Sequence, residues 1–342
     1  MKNKFRFYGI IAIFAVIGLV LVACGGDCTH DNGAWHTTNA GTCTLSGTRE
    51  LRCTKCSDVL EKSPIPATGH NYSIGICTIA GCYSIQMMPI SAGNFVRDGH
   101  TITLSAFKMS RFQVTQELYE AVIGNNPSWF HGGSGREPDT TNGVLEIQGR
   151  RPVERVTWFD AVYFCNKLSE RAGLTPVYTI TNIVRGTDQQ ITSATVTANW
   201  NNNGYRLPTE AQWEYACRAG STALWHFGDN QADLLNHAWF GNMQTGIDGN
   251  ANGRTHQVGL KTANVWGLHD MHGNVWEWVW DWWGTFPNPS DLDNPRGAVS
   301  GTGRVNRGGS WGDSASSSQS AFRFIGVPGY RDFIFGFRLA LP

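Results

Sequence analysis

Four tryptophans at Trp276, Trp278, Trp280 and Trp282 alternate with Glu277, Val279 and Asp281. A period of two over seven residues predicts a β-strand with one face buried. Forty glycines, 14 tryptophans and only six methionines describe a loop-rich, aromatic-packed chain and not a helical bundle. The 342 residues suffice for about two domains. Lys+Arg and Asp+Glu both number 27, so no basic excess exists to neutralise a phosphate backbone, and nucleic acid is not an expected partner.

Three helices follow from their caps. Thr115 opens the first, with Glu117 near its positive end and Gly124 past its last turn. Thr157 opens the second, with Asp160 at its third position, and Gly173 ends it. Thr209-Glu-Ala-Gln212 has capping-box spacing after Pro208, with Gly220 beyond the end. Short strand-like runs broken by Gly, Asn and Pro fill the remainder, giving an α+β domain with much irregular structure.

The N-terminus reads as an address. Lys2, Lys4 and Arg6 precede an apolar run from about residue 7 to 22, the pattern of a signal peptide over residues 1–23. Leu21-Val-Ala-Cys24 resembles the bacterial lipobox, in which the cysteine is acylated after cleavage just before it. The expected mature chain is exported and anchored by lipid at Cys24 to the outer membrane or cell surface. Residues 24–84 form a Cys/His-rich module or stalk, short of large apolar residues and in need of staples. Cys53-x-x-Cys56, with Cys43 and His70, has zinc-ligand spacing; disulfides among the six remaining cysteines are the alternative in an oxidising compartment.

From residue 85 to 342 five motifs follow in order. They are Pro152-Val-Glu-Arg-Val-Thr-Trp158, Gly204-Tyr-Arg-Leu-Pro-Thr-Glu-Ala-Gln-Trp213, Gly267-Leu-His-Asp-Met-His-Gly-Asn-Val-Trp-Glu-Trp278, Arg307-Gly-Gly-Ser-Trp311 and Gly336-Phe-Arg338. Together they resemble the formylglycine-generating-enzyme (sulfatase-modifying factor) domain. The resemblance implies a variant of the C-type lectin fold. It also implies a calcium site built from the side chains of Asp270 and Glu277 and the carbonyls of Gly273 and Val275.

In that family two copper-binding cysteines follow the Arg-Gly-Gly-Ser-Trp motif. The matching positions here are Asp313 and Ser318, and no cysteine follows Cys217. Carboxylate and hydroxyl do not replace the soft thiolates that Cu(I) requires, so no catalytic residue is expected. The rival readings are an oxidoreductase with metal at a new site and an inert envelope scaffold.

The terminal stretch, about residues 306–340, has its own composition. After Trp311 no Lys, Glu, Met or Trp occurs. Those types, with Gln, are the ones that codons ending in a pyrimidine cannot encode; Gln319 is the single exception. This is the trace of Asn codons randomised at their first two bases, and it resembles the products of diversity-generating retroelements. The expected ligand-binding surface begins with Asp313, Ser314, Ser316, Ser317 and Ser318. It continues through Phe322, Phe324, Ile325, Gly326 and Val327 to Tyr330, Asp332, Phe333, Ile334 and Phe335. Phe and Tyr supply contact area at low entropy cost, and Ser and Asp adapt. The expected ligand is a protein or another cell-surface molecule, with Trp311, Arg323 and Arg338 bracing the patch.

Overall fold

The computed structural model describes residues 85–342, except 134, 142 and 242–248, and strands at 33–39, 47–53, 59–65, 72–73 and 76–77. They fall into two compact units. The small unit holds β1 (Gly33–Asn39), β2 (Gly47–Cys53) and β3 (Val59–Ile65), an antiparallel meander in the order β1-β2-β3. Glu50 on its central strand pairs with Arg52 at 2.6 Å and Lys62 at 3.0 Å. Cys24, Cys43, Cys56, His70 and the side chain of Cys53 lie outside the described residues.

The large unit begins with two small pairs and an outer sheet. The pair β4 (Tyr72–Ser73) and β5 (Ile76–Cys77) precedes β6 (Met87–Ile90), the hairpin of β7 (Gly93–Arg97) and β8 (His100–Leu104), and β9 (Phe107–Ser110). Helix α1 (Gln116–Ile123) and the pair β10 (Thr140–Thr141) and β11 (Val144–Leu145) lead to α2 (Trp158–Arg171). A hairpin of β12 (Tyr178–Arg185) and β13 (Ile191–Ala198) precedes α3 (Glu210–Arg218) and the one-turn α4 (Leu234–His237). Last come β14 (Trp276–Trp282), β15 (Arg304–Arg307), β16 (Arg323–Gly326), β17 (Phe335–Gly336) and β18 (Ala340–Leu341).

All three expected helices form where their caps place them. Thr115 accepts from Leu118 N, and both Thr157–Asp160 and Thr209–Gln212 close as capping boxes. Two orphan N-terminal donors are satisfied at each box, which sets the helix start sharply.

The tryptophan run is a strand, but both its faces are buried. β14 lies inside a four-stranded sheet of order β16-β15-β14-β17. Trp276 and Trp278 join a core formed with α1 and α2, while Val279 joins a second core with Trp213 of α3 and Met109 of β9. The acidic residues between the tryptophans are buried because each has distant partners. Glu277 accepts from Arg338 at 2.6 and 2.7 Å and from Trp213 Nε1 at 2.6 Å. Asp281 accepts from Glu210 N at 2.8 Å, placing a carboxyl group at the positive end of α3.

Candidate functional site

The terminal window threads from one edge of this sheet to the other. β16 is one edge strand and β17 the other, so residues 327–334 must connect opposite edges. Buried groups and neighbouring segments hold its backbone. Arg307, fully buried, donates to Ser320 O at 2.7 Å and Phe322 O at 2.8 Å. His272 Nδ1 donates to Ser318 O at 2.6 Å, and its Nε2 accepts from His226 N at 3.3 Å. Trp158 N donates to Pro328 O and Arg155 N to Asp332 O, both at 3.0 Å. Trp311 Nε1 donates to Phe333 O at 3.1 Å.

Two glutamates of α3 complete the brace. Glu210 accepts from Arg323 at 2.5 and 2.8 Å. Glu214 accepts from Arg307 at 2.6 Å, Arg218 at 2.8 Å and also Arg97. Neither glutamate stands out in the sequence, although their i,i+4 spacing on one helix face is the available signal.

On this frame the side chains sort into three groups. Ser314, Ser316, Phe322, Phe324, Ile325, Val327 and Tyr330 are exposed, Val327 by 63% and Tyr330 by 53%. Asp313, Ser317, Asp332, Phe333 and Ile334 are half-buried. Ser318, Gly326 and Phe335 are buried, so they do not belong to an exposed patch. Phe335 packs 5.1 Å from Trp278, Ser318 bonds Ala315 O, and Trp278 covers Gly326 so closely that a Cβ there would collide with the indole. Of the expected braces, Trp311 touches the window through Phe333 O, and Arg323, itself on β16, ties that strand to Glu210 of α3. Arg338 instead spans Glu277 and the carbonyl of His269, away from it.

At the two positions where the family carries thiols, the chemistry is different. Asp313 Oδ2 accepts from Trp276 Nε1 at 2.8 Å and from Ser310. Burial raises the Asp313 carboxyl above its ordinary range, against the pull of those donors. The two remaining thiols among the described residues, Cys165 and Cys217, are buried and unpaired. Burial pushes Cys165 far up and Cys217 up to about 12, so neither supplies a thiolate at neutral pH.

The oxygens of the expected calcium loop do converge, with one change. The carbonyls of Gly273 and Val275 lie 3.3 and 3.2 Å from Gln113 Nε2, and Glu277 Oε1 lies 3.0 Å from it. Asp270 contributes its carbonyl at 3.3 Å, while its carboxylate turns away to accept from Gly259 N at 2.8 Å. Three carbonyls and a carboxylate suit calcium in kind. Their centre, however, holds the Gln113 amide, and Arg338 already neutralises Glu277. In this arrangement the Gln113 amide answers the oxygens that an ion would need. Chelation with EDTA should therefore leave the melting temperature unchanged; a rise of several degrees on adding Ca²⁺ would show that Gln113 yields to the ion.

Glu154 is fully buried; its Oε1 accepts from Phe130 N at 2.8 Å and its Oε2 has no partner. Burial pushes its pKa up to about 8. A carboxyl group raised on folding contributes stability that is complete below its unfolded value and is lost as pH rises through about 8. Glu154→Gln should flatten that part of the stability profile and stabilise the fold at pH 8 and above by on the order of 1 kcal/mol. Urea titrations between pH 5 and 9 (roughly the window set by the two protonation states) check this. An unchanged slope would contradict it.

Known proteins place the chain. The profile of the Sulfatase-modifying factor enzyme 1-like domain matches residues 80–342. The solved structure of Treponema denticola variable protein 1 is 38% identical with a TM-score of 0.66, covering 75% of this chain and 94% of that one. The chaperone protein LppX of Paenibacillus barcinonensis is 34% identical over 235 residues, 65% of this chain and 75% of that protein. The formylglycine-generating enzyme of Mus musculus is 31% identical over 208 residues, 58% of this chain but only 46% of the mouse enzyme. With the ordered motifs and the α+β architecture, the chain belongs to the sulfatase-modifying factor (formylglycine-generating-enzyme) family and shares its C-type lectin-like fold.

Proposed function

We propose that the protein is a non-catalytic receptor-like lipoprotein, held at the bacterial surface through Cys24, that captures a protein ligand with its terminal window. One observation carries the reading. Five large apolar side chains, Phe322, Phe324, Ile325, Val327 and Tyr330, stand exposed on a backbone held by buried groups. Such a cluster on a rigid support has the character of a binding hot spot. The fixed frame separates stability from recognition, so window side chains can change without loss of the fold. Similarity to a variable protein supports the same role. The carboxylate at Asp313 and the buried hydroxyl at Ser318 argue against copper-dependent oxidation.

The test is a window swap. Two chains identical outside residues 313–334 should select different partners from one displayed library of surface proteins. Selection of the same partner with equal affinity would place recognition elsewhere and overturn the reading.

A further inference from the structure

The far end of the tryptophan strand opens a second concave site, with a volume of about 570 Å³. Its walls include Trp158, Trp280 and Trp282, with Thr195 of β13 on one side and Val299 on the other. Two arginines line it, Arg296 and Arg304, and no acidic residue does.

Arg304 is the unusual group. It is only 3% exposed, and its guanidinium lies 3.7 Å from the ring centre of Trp158 and 3.5 Å from that of Trp282. Stacking of this kind covers both faces of the cation and leaves only its in-plane edges for hydrogen bonds. One edge donates to Trp280 O, while Nε has no partner. Among the described residues Arg304 forms no ion pair. Burial pushes the carboxyl of the neighbouring Asp281 well above its ordinary range, which weakens it as a counter-charge. Arg296 stands exposed at the rim, 4.6 Å over Trp200. A buried, unpaired cation with a free donor is costly unless something answers it.

We propose that this cleft is a second binding site, for a carboxylate carried on a ring. The apolar wall of Val196, Ala298, Val299 and the outer side of Trp282 takes the ring, and Arg304 and Arg296 take the charge. The site adjoins the window, because Trp158 N bonds Pro328 O and Arg304 pairs with Gly326 across the sheet. It stands independently of any variation in that window. Aromatic acids and uronic acids both present this chemistry.

Isothermal titration of the full chain with benzoate and with glucuronate tests it, with benzamide and glucose as the uncharged counterparts. At least one acid should bind saturably, with its neutral counterpart about tenfold weaker. Arg296→Glu, at an exposed position that the fold does not need, should weaken binding by about tenfold. Arg304→Met should abolish it in a chain that still melts cooperatively. The arm that binds identifies the ring class. Failure of both acids to saturate by about 10 mM, equal binding of the neutral compounds, or no effect of Arg296→Glu would each overturn the proposal.

Discussion

Arg307→Met should cost the large domain about 3–5 kcal/mol, the loss typical of breaking a buried ion pair from one side. Arg307 is fully buried, 2.6 Å from Glu214 and 3.3 Å from Glu210. Its removal leaves both carboxylates in the interior with fewer cations. It also strips the donors from Ala321, Ser320 and Phe322 carbonyls, where the window enters β16. Arg218, Arg97 and Arg323 still hold the glutamates, so the fold should weaken and not vanish. Urea denaturation reads the stability, and amide exchange at residues 320–324 reads the local release. A loss under about 1 kcal/mol, as for a surface pair, would contradict this account of the frame.

Replacing Phe322, Phe324 and Tyr330 together by serine should reduce affinity for a captured ligand by about a hundredfold or more, because aromatic hot spots often carry 2 kcal/mol each. The same triple change should leave the midpoint of urea unfolding nearly in place. These rings do contact the core rim: Phe324 stacks 5.3 Å from Trp276, and Phe322 lies 6.0 Å from it. Yet both side chains and Tyr330 are more than a third exposed, so a modest loss, about 1 kcal/mol or less per residue, is expected. Loss of binding together with the fold would mean that the cluster is packing. Retention of binding would mean that recognition lies elsewhere.

The elements legible in the sequence are those governed by local chemistry. The three Thr caps mark helix starts because a side-chain oxygen three residues away answers the backbone itself. The period of the tryptophan run marks a strand for the same reason. Its second buried face was not legible, because Glu277 and Asp281 look like solvent-facing residues until Arg338 and the start of α3 are brought to them. The hairpin of β12 and β13 has neither a cap nor a motif to mark it, and only its alternating Thr, Ile and Val carry the signal.

The window shows the same limit within one segment. Phe324 and Phe335 are indistinguishable as residue types. Both sit on edge strands, yet Phe324 is exposed while Phe335 closes over Trp278. Only the distant residues packed around each one separate them. Asp270 is a further case: proximity in sequence to Glu277 suggests a shared ion, but a positive φ of 55° at Asp270 accompanies a side chain directed to Gly259. The cleft at Arg304 depends on four distant segments and leaves no mark on any one of them.

The central claim is that the terminal window is a diversified binding surface on a constant frame. The most direct measurement is of DNA: sequencing the genome around this reading frame and comparing it with the codons for residues 306–340. The account predicts a near-copy of those codons beside a reverse-transcriptase gene, differing from the reading frame only where the copy has adenine. Absence of any such copy from the complete genome would contradict it, and the exposed phenylalanines would then stand as an unvarying feature of a family member that lacks the two thiols after the Arg-Gly-Gly-Ser-Trp motif.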